Sequence, residues 1–439
     1  MVKRVDTALV SLWGYTVGAI AWRADRGYGV FEYEPDFLST GLDIAPLQMS
    51  LNIARHGSGL FSFPGLNSGT FFGLPGLLAD ALPDKFGNSI INAWLARQGR
   101  DINEFSPVER LCYTGKRAMG ALEFAPAYID RHDKSVPVEI ADLVELAQTI
   151  MTNRNSLDVN LGHGNTAGND AILDILRVGT SAGGARPKAV IAMDAQGNVR
   201  SGQTEAPAGY DYWILKFDGV TDLELGEPRE YGRIEYAYHQ MAVAAGINMT
   251  ECRLLEENGR AHFMTKRFDR VNGNKLHLQS LCGIAHYDYN QAGAYSYEQA
   301  FAVMRKLRLS KAEAEQQFRR MVFNVIARNQ DDHTKNIAFL MQPDGKWQLS
   351  PAYDVIYSHN PAGIWTNQHQ MSLNGKRDHF TRADLLSIAE SISLNRPQQI
   401  IDEIMQAVSQ WPIHAASAGV GKTIIAEISK HQRLDIKNS

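Results

Sequence analysis

The chain has 439 residues, 44% hydrophobic and 21% charged, which excludes a disordered or fibrous protein and leaves room for about three domains at ~150 residues each. With 44 Lys and Arg against 48 Asp and Glu, the net charge of -4 provides no diffuse positive field for gripping nucleic-acid phosphates unaided. The cysteines, Cys112, Cys252 and Cys282, are far apart, match no CxxC knuckle and suit a reducing compartment, so a cytoplasmic location is expected.

Lys3 and Arg4 precede a mostly apolar stretch, Ala8 to Trp22, that imitates a secretory signal. Asp6 spoils the basic region, and Gly14 and Gly18 interrupt a run that alternates as a β-hairpin does. No stretch reaches the ~18 apolar residues that span a bilayer, so no membrane association is expected. The first 125 residues are rich in Gly and aromatics, with strand-like pieces at Tyr28 to Tyr33, Gly59 to Phe63 and Ala121 to Phe124. A helix over Lys85 to Arg97 follows the turn Leu82-Pro83-Asp84. The polar link Ile129 to Pro137 marks a boundary before the helical run Val138 to Asn153.

The middle of the chain opens on the glycine-rich segment Val178 to Lys188, whose backbone N–H groups could form an anion nest beside Arg186 and Lys188. The same composition also serves as an ordinary connecting turn. The strand Asp211 to Phe217 carries Lys216 among large apolar residues, and a buried ammonium needs an anionic partner. Glu235, next to the apolar face of a helix over Arg229 to Ala245, is the candidate partner; the other reading is a lysine that snorkels to water. Ala261 to Arg270 begins as an alternating strand and becomes polar, which suits a connector in which the backbone of Lys266 to Phe268 reads an adenine edge.

Beyond it, Tyr297 to Leu309, Lys311 to Asn329, Arg382 to Ser393 and Pro397 to Gln410 read as helices. The second has an apolar face of Phe318, Met321, Val322, Val325 and Ile326 and ends in the polar run Arg328 to Asn336, a loop held at the edge of a core. Asp344-Gly345 between two apolar runs signals a hairpin, and a turn centred on that pair sets Asn336 opposite Tyr353 and next to Asp354. In protein kinases an Asp that orients and deprotonates the substrate hydroxyl lies five residues before an Asn that ligates Mg²⁺, and a second Mg²⁺-binding Asp follows a hairpin. Asp331, Asn336 and Asp354 repeat that arrangement with hard oxygen donors. The bland reading is a polar loop in which Asp caps and His333 is a surface residue. Near the C-terminus, Ala416 to Thr423 imitates a P-loop but follows a helical run, so a helix–helix turn is expected.

With Ser181 to Lys188, Lys216, Lys266 to Arg270, Asp331 to Asn336 and Tyr353-Asp354 in this order, the chain resembles the HipA family of bacterial serine/threonine kinase toxins over essentially its whole length. The resemblance implies an α+β, two-lobed protein-kinase-like fold. An extra β-rich N-terminal subdomain would span 1–126, a kinase N-lobe 138–268 and a helical C-lobe 269–439. It implies Asp331 as the catalytic residue, with Asn336 and Asp354 as Mg²⁺ ligands. ATP contacts would fall at Gly183, Gly184, Ala185, Arg186, Pro187, Lys188, Lys216, Lys266, Arg267, Phe268, His333 and Lys335, and Glu235 and Tyr353 complete the candidate nucleotide site. It further implies autophosphorylation of Ser181, and a small helix-turn-helix antitoxin of HipB type through which DNA is met only indirectly. The implied substrate is a translation-related protein such as an aminoacyl-tRNA synthetase. The rival readings are a small-molecule kinase of the same fold and a pseudokinase acting as an interaction or repressor module.

Overall fold

The computed structural model describes residues 4–97, 99–127, 135–152, 186–203, 205–220 and 230–436. Ser181, Gly183, Gly184 and Ala185, and Gly162 to Asn169, lie outside the described residues. The chain divides into two compact units: 1–44, 49–232 and 253–278 form the first, and 45–48, 233–252 and 279–439 the second.

The first unit holds two antiparallel sheets. Strands β1 (Thr7–Leu12), β2 (Tyr15–Arg23), β3 (Tyr28–Tyr33), β4 (Leu60–Phe61) and β5 (Leu122–Ala125) form a sheet of order β4-β3-β2-β1-β5. The N-terminal stretch that imitates a targeting signal is thus the hairpin β1–β2, with Ala8, Val10 and Leu12 buried on alternate positions. Gly18 allows a close pass: a Cβ there would lie 2.1 Å from the carbonyl oxygen of Glu32 on β3. The second sheet has order β7-β6-β8-β10-β9 and contains β6 (Lys188–Met193), β7 (Val199–Ser201), β8 (Asp211–Lys216), β9 (Cys252–Glu257) and β10 (Arg260–Lys266). Its buried residues Ala189, Ile191, Trp213, Leu215 and Met264 pack with Phe86, Ile90, Ile91 and Leu95 of the helix Lys85–Arg97 and with Leu143 and Val144 of Ile140–Thr152. A short ribbon of β11 (Arg270–Val271) and β12 (Asn274–Lys275) follows.

The second unit is mostly helical. Its central helix, Lys311–Ala327, starts at a capping box in which Ser310 and Glu313 each satisfy the other's backbone N–H. Phe318, Met321, Val322, Val325 and Ile326 are all buried, as the sequence period requires. Arg328 then turns left-handed, with φ +61°, and ends the helix. Strand β13 (His277–Ser280), whose last two residues belong to this unit, heads a sheet of order β13-β14-β15 with β14 (Ala338–Met341) and β15 (Trp347–Leu349). The P-loop look-alike lies between the helices Trp411–Ser417 and Lys422–His431, with Gly419 at φ +78° making the turn. No described helix is long and apolar enough to cross a membrane.

The hairpin register differs from expectation by one residue. Phe339, Leu340 and Met341 pair with Leu349, Gln348 and Trp347. The turn is the three-residue loop Pro343-Asp344-Gly345, with Gly345 at φ +82° and the Lys346 N–H bonded to Asp344 Oδ1, rather than a two-residue turn on Asp-Gly. Tyr353 therefore faces Lys335, not Asn336, and its hydroxyl donates to the Lys335 carbonyl.

Candidate active site

The loop that leaves the central helix alternates. Gln330, Asp332 and Thr334 are buried, whereas Asp331, His333 and Lys335 are partly exposed. The alternation runs from the irregular loop into a single 3-10 turn, Thr334–Asn336, so the chain anchors one side chain and presents the next. Each buried member has a partner: Gln330 Oε1 meets His359 Nδ1, and Thr334 Oγ1 donates to the Tyr287 carbonyl at 2.7 Å. Asp332 accepts from Tyr297 Oη at 2.7 Å, His369 Nδ1 at 2.8 Å and the Gln370 N–H at 2.8 Å. Burial by itself would push the Asp332 carboxyl up, but His369, Tyr297 and the Gln370 amide together hold it below the usual carboxylate value.

On the presented side, Asn336 Nδ2 donates to the Asp331 carbonyl at 2.8 Å, closing the five-residue span on itself. An amide whose N–H₂ is committed leaves Oδ1 as its acceptor, and that oxygen and the Asp354 carboxylate are hard oxygen donors of the chemical type Mg²⁺ prefers. Asp354 has φ +52°, a left-handed backbone that Asp tolerates better than most residues and that recurs at functional sites. Asp331 Oδ1 accepts the indole N–H of Trp365 at 2.6 Å and stands 3.8 Å from His333 Nε2. The Tyr289 ring lies beside both other presented residues, 5.3 Å from the His333 ring and 4.9 Å from Lys335 Nζ. Glu235 is buried on the helix Tyr231–Ala244.

In the first unit, Lys188 opens β6 and Lys216 ends β8, and the register sets them directly opposite each other, with Phe263 of β10 next in the row. Like charges so placed repel. Lys188 is buried with its Nζ 3.4 Å from Asp84 Oδ2, while Lys216 Nζ lies 5.6 Å from the centre of the Phe263 ring. Asp84 also caps its helix, Oδ1 accepting the Gly87 N–H at 2.6 Å. Arg186 packs its guanidinium 3.9 Å from the centre of the Tyr231 ring, and the Pro187 carbonyl takes the Phe217 N–H. Lys266 pairs with Asp211 at 2.7 Å.

The connector after β10 departs from a polar exit. Arg267 and Asp269 are almost fully buried, with Arg267 Nη2 2.7 Å and Arg270 Nη1 2.8 Å from Asp269 Oδ2, which also accepts the Gly120 N–H at 2.7 Å. Arg270 further donates to the Ala118 and Gly120 carbonyls. Burial opposes ionisation of Asp269, yet the two guanidiniums outweigh it and hold the carboxyl well below its ordinary range. The Arg267 side chain is therefore committed to this cluster, and the Arg267 backbone N–H donates to the Tyr212 carbonyl. Asp84, Asp332, Trp365 and His369 were not singled out from sequence; the only local signals were the turn at Asp84 and the doubled Asp331-Asp332.

The profile of the HipA N-terminal domain matches residues 8–125, and that of the HipA-like C-terminal domain matches residues 180–411. No individual curated protein matches. Among solved structures, HipA from the complex of the Shewanella oneidensis MR-1 toxin–antitoxin system HipA, HipB and its operator DNA is 16% identical, with a TM-score of 0.64 over 97% of this chain and 94% of that chain. The proinflammatory kinase CtkA of Helicobacter pylori is 13% identical, with a TM-score of 0.35 over 58% of this chain and 91% of that one. The fold is thus that of HipA, and because one profile spans more than half of the sequence, the chain belongs to the HipA family.

Proposed function

We propose that the protein is an ATP- and Mg²⁺-dependent serine/threonine protein kinase and the toxin of a toxin–antitoxin pair. The observation that carries this reading is the loop from Asp331 to Asn336, in which anchors and presented groups alternate and the Asn336 amide ties back to the Asp331 carbonyl. Asp331 orients the substrate hydroxyl and takes its proton. Asn336 and Asp354 would hold Mg²⁺, which neutralises charge on the phosphates when bound. Lys216 and Lys188 supply positive charge for the phosphates, and His333, Lys335 and Tyr353 line the nucleotide side. The backbone of Lys266 to Phe268 serves the adenine. Catalysis is then mostly positioning and charge neutralisation.

A HipB-like helix-turn-helix antitoxin is the proposed partner, and it brings DNA to a chain whose own net charge of -4 does not favour phosphate contact. A translation-related protein is the proposed substrate, and phosphorylation of Ser181 the proposed off-switch. The test is incubation with labelled ATP and Mg²⁺. Label should appear on the chain and on a protein in lysate, and Asp331→Ala should abolish both. An Asp331→Ala variant that labels as well as wild type removes Asp331 from the mechanism; label found only on metabolites favours a small-molecule kinase.

A further inference from the structure

The segment after Asp354 returns to the catalytic loop at three consecutive residues. His359 meets Gln330, Trp365 meets Asp331, and His369 with Gln370 meets Asp332. The loop is braced from within: the Asn360 N–H donates to the Thr366 carbonyl at 3.1 Å, and Gln370 Nε2 donates to the Trp365 carbonyl. Its neighbouring apolar residue, Ile364, is 98% exposed, whereas Trp365 is partly buried with its ring 6.4 Å from that of His333. Its indole N–H donates to Asp331 Oδ1 at 2.6 Å.

The two oxygens of Asp331 are thereby made unequal. Oδ1 takes the indole N–H, with His333 Nε2 3.8 Å from the same atom, while Oδ2 has no hydrogen-bond or ion-pair partner among the described residues and the side chain keeps 39% of its exposure. An indole N–H only donates and does not titrate, so it can hold a carboxylate but cannot receive the transferred proton. A charge-assisted donor on one oxygen removes torsional freedom that proton transfer would otherwise have to overcome.

We propose that Trp365 is a positioning residue for phosphoryl transfer, holding Asp331 by Oδ1 so that Oδ2 meets the hydroxyl of the protein substrate. This rests on the reading of Asp331 as the acceptor of that proton. In the step, the substrate oxygen bonds to the γ-phosphorus, the bond from that phosphorus to the β–γ bridging oxygen breaks, ADP leaves, and the hydroxyl proton passes to Oδ2. The same contact used as a plug on the base would give the opposite sign on removal.

The test is Trp365→Phe in the full chain, which keeps an aromatic ring beside His333 but removes the N–H together with part of the ring area. The expected result is a kcat lower by about 10- to 100-fold with an unchanged KM for ATP. Unchanged or faster turnover overturns the proposal. Independently of turnover, the ultraviolet resonance Raman signal of the indole N–H, isolated as wild type minus Trp365→Phe, should shift when Asp331→Asn replaces the carboxylate acceptor by an amide. No shift refutes the Trp365 role and leaves the kinase reading standing. A shift in a wild-type protein that transfers no phosphoryl group refutes the Asp331 reading and the positioning role with it.

Discussion

Asp332→Asn and Asp332→Ala separate an anchor from a catalytic group. Asp332 is almost fully buried and accepts three bonds, from Tyr297 Oη, His369 Nδ1 and the Gln370 N–H. His369 Nε2 stands 3.3 Å from Arg433 Nη1, which only donates, so the lone pair must be on Nε2 and the proton on Nδ1. In Asp332→Ala the buried donors around the site lose their acceptor; removing one partner of such a buried cluster costs about 3–5 kcal/mol. In Asp332→Asn one amide oxygen still serves the Gln370 N–H, but the new N–H₂ opposes His369 Nδ1–H, and a tautomer change would only move that clash to Arg433. About 2 kcal/mol is the corresponding loss, of the order of one unsatisfied buried donor. At ~2–4 °C per kcal/mol for a unit of this size, the melting transition should fall by about 6–20 °C in Asp332→Ala and by about 4–8 °C in Asp332→Asn. Differential scanning calorimetry without nucleotide checks it. Two variants that melt together with wild type would refute the anchoring account, and equal large losses would refute the tautomer argument.

Asp269→Ala should destabilise the first unit by about 3–5 kcal/mol, because it leaves the buried guanidiniums of Arg267 and Arg270 facing each other; urea unfolding measures it. His277 is fully buried beside the Ile44 carbonyl, and burial pushes its imidazole down to about 4. The unfolded chain, with an ordinary value of about 6.5, binds that proton first, so stability is complete above pH ~6.5 and is lost as pH falls towards ~4. The contribution is about 3 kcal/mol, His277→Gln should flatten the stability profile over that interval, and a profile unchanged by the substitution would contradict it. Gly18→Ala must displace β3, since its Cβ would overlap the Glu32 carbonyl, and a crystal structure or melting curve indistinguishable from wild type would show the strand approach to be looser than 2.1 Å implies.

The two adjacent carboxylates of the loop look alike as letters, and only their surroundings tell them apart. Asp331 and Asp332 are adjacent and equally acidic in sequence, yet one faces solvent and the other is bonded by groups 35 to 38 residues away. Nothing in local periodicity announces Trp365 or His369 either, because their role depends on where a long loop returns. The hairpin at Asp344-Gly345 shows the same limit on a smaller scale: its existence was legible from turn chemistry, its register was not, since a three-residue loop and a two-residue turn share the same letters and shift every partner by one.

What the sequence determined by itself was local. Capping at Ser310 and Glu313, the apolar face of the central helix, the spacing of Asp331 to Asn336 and the helical setting of Ala416 to Thr423 each depend on neighbours within a few residues, and each is present in the fold. What only the tertiary structure decided was the use of polar groups at long range. The ion pair of Lys188 with Asp84, the closing of Arg267 and Arg270 on Asp269, and the bonds that anchor Asp332 and hold Asp331 by one oxygen are examples. Burial makes a polar group's cost or benefit depend on which partner arrives, and that partner is chosen by chain topology rather than by the residue's own neighbours.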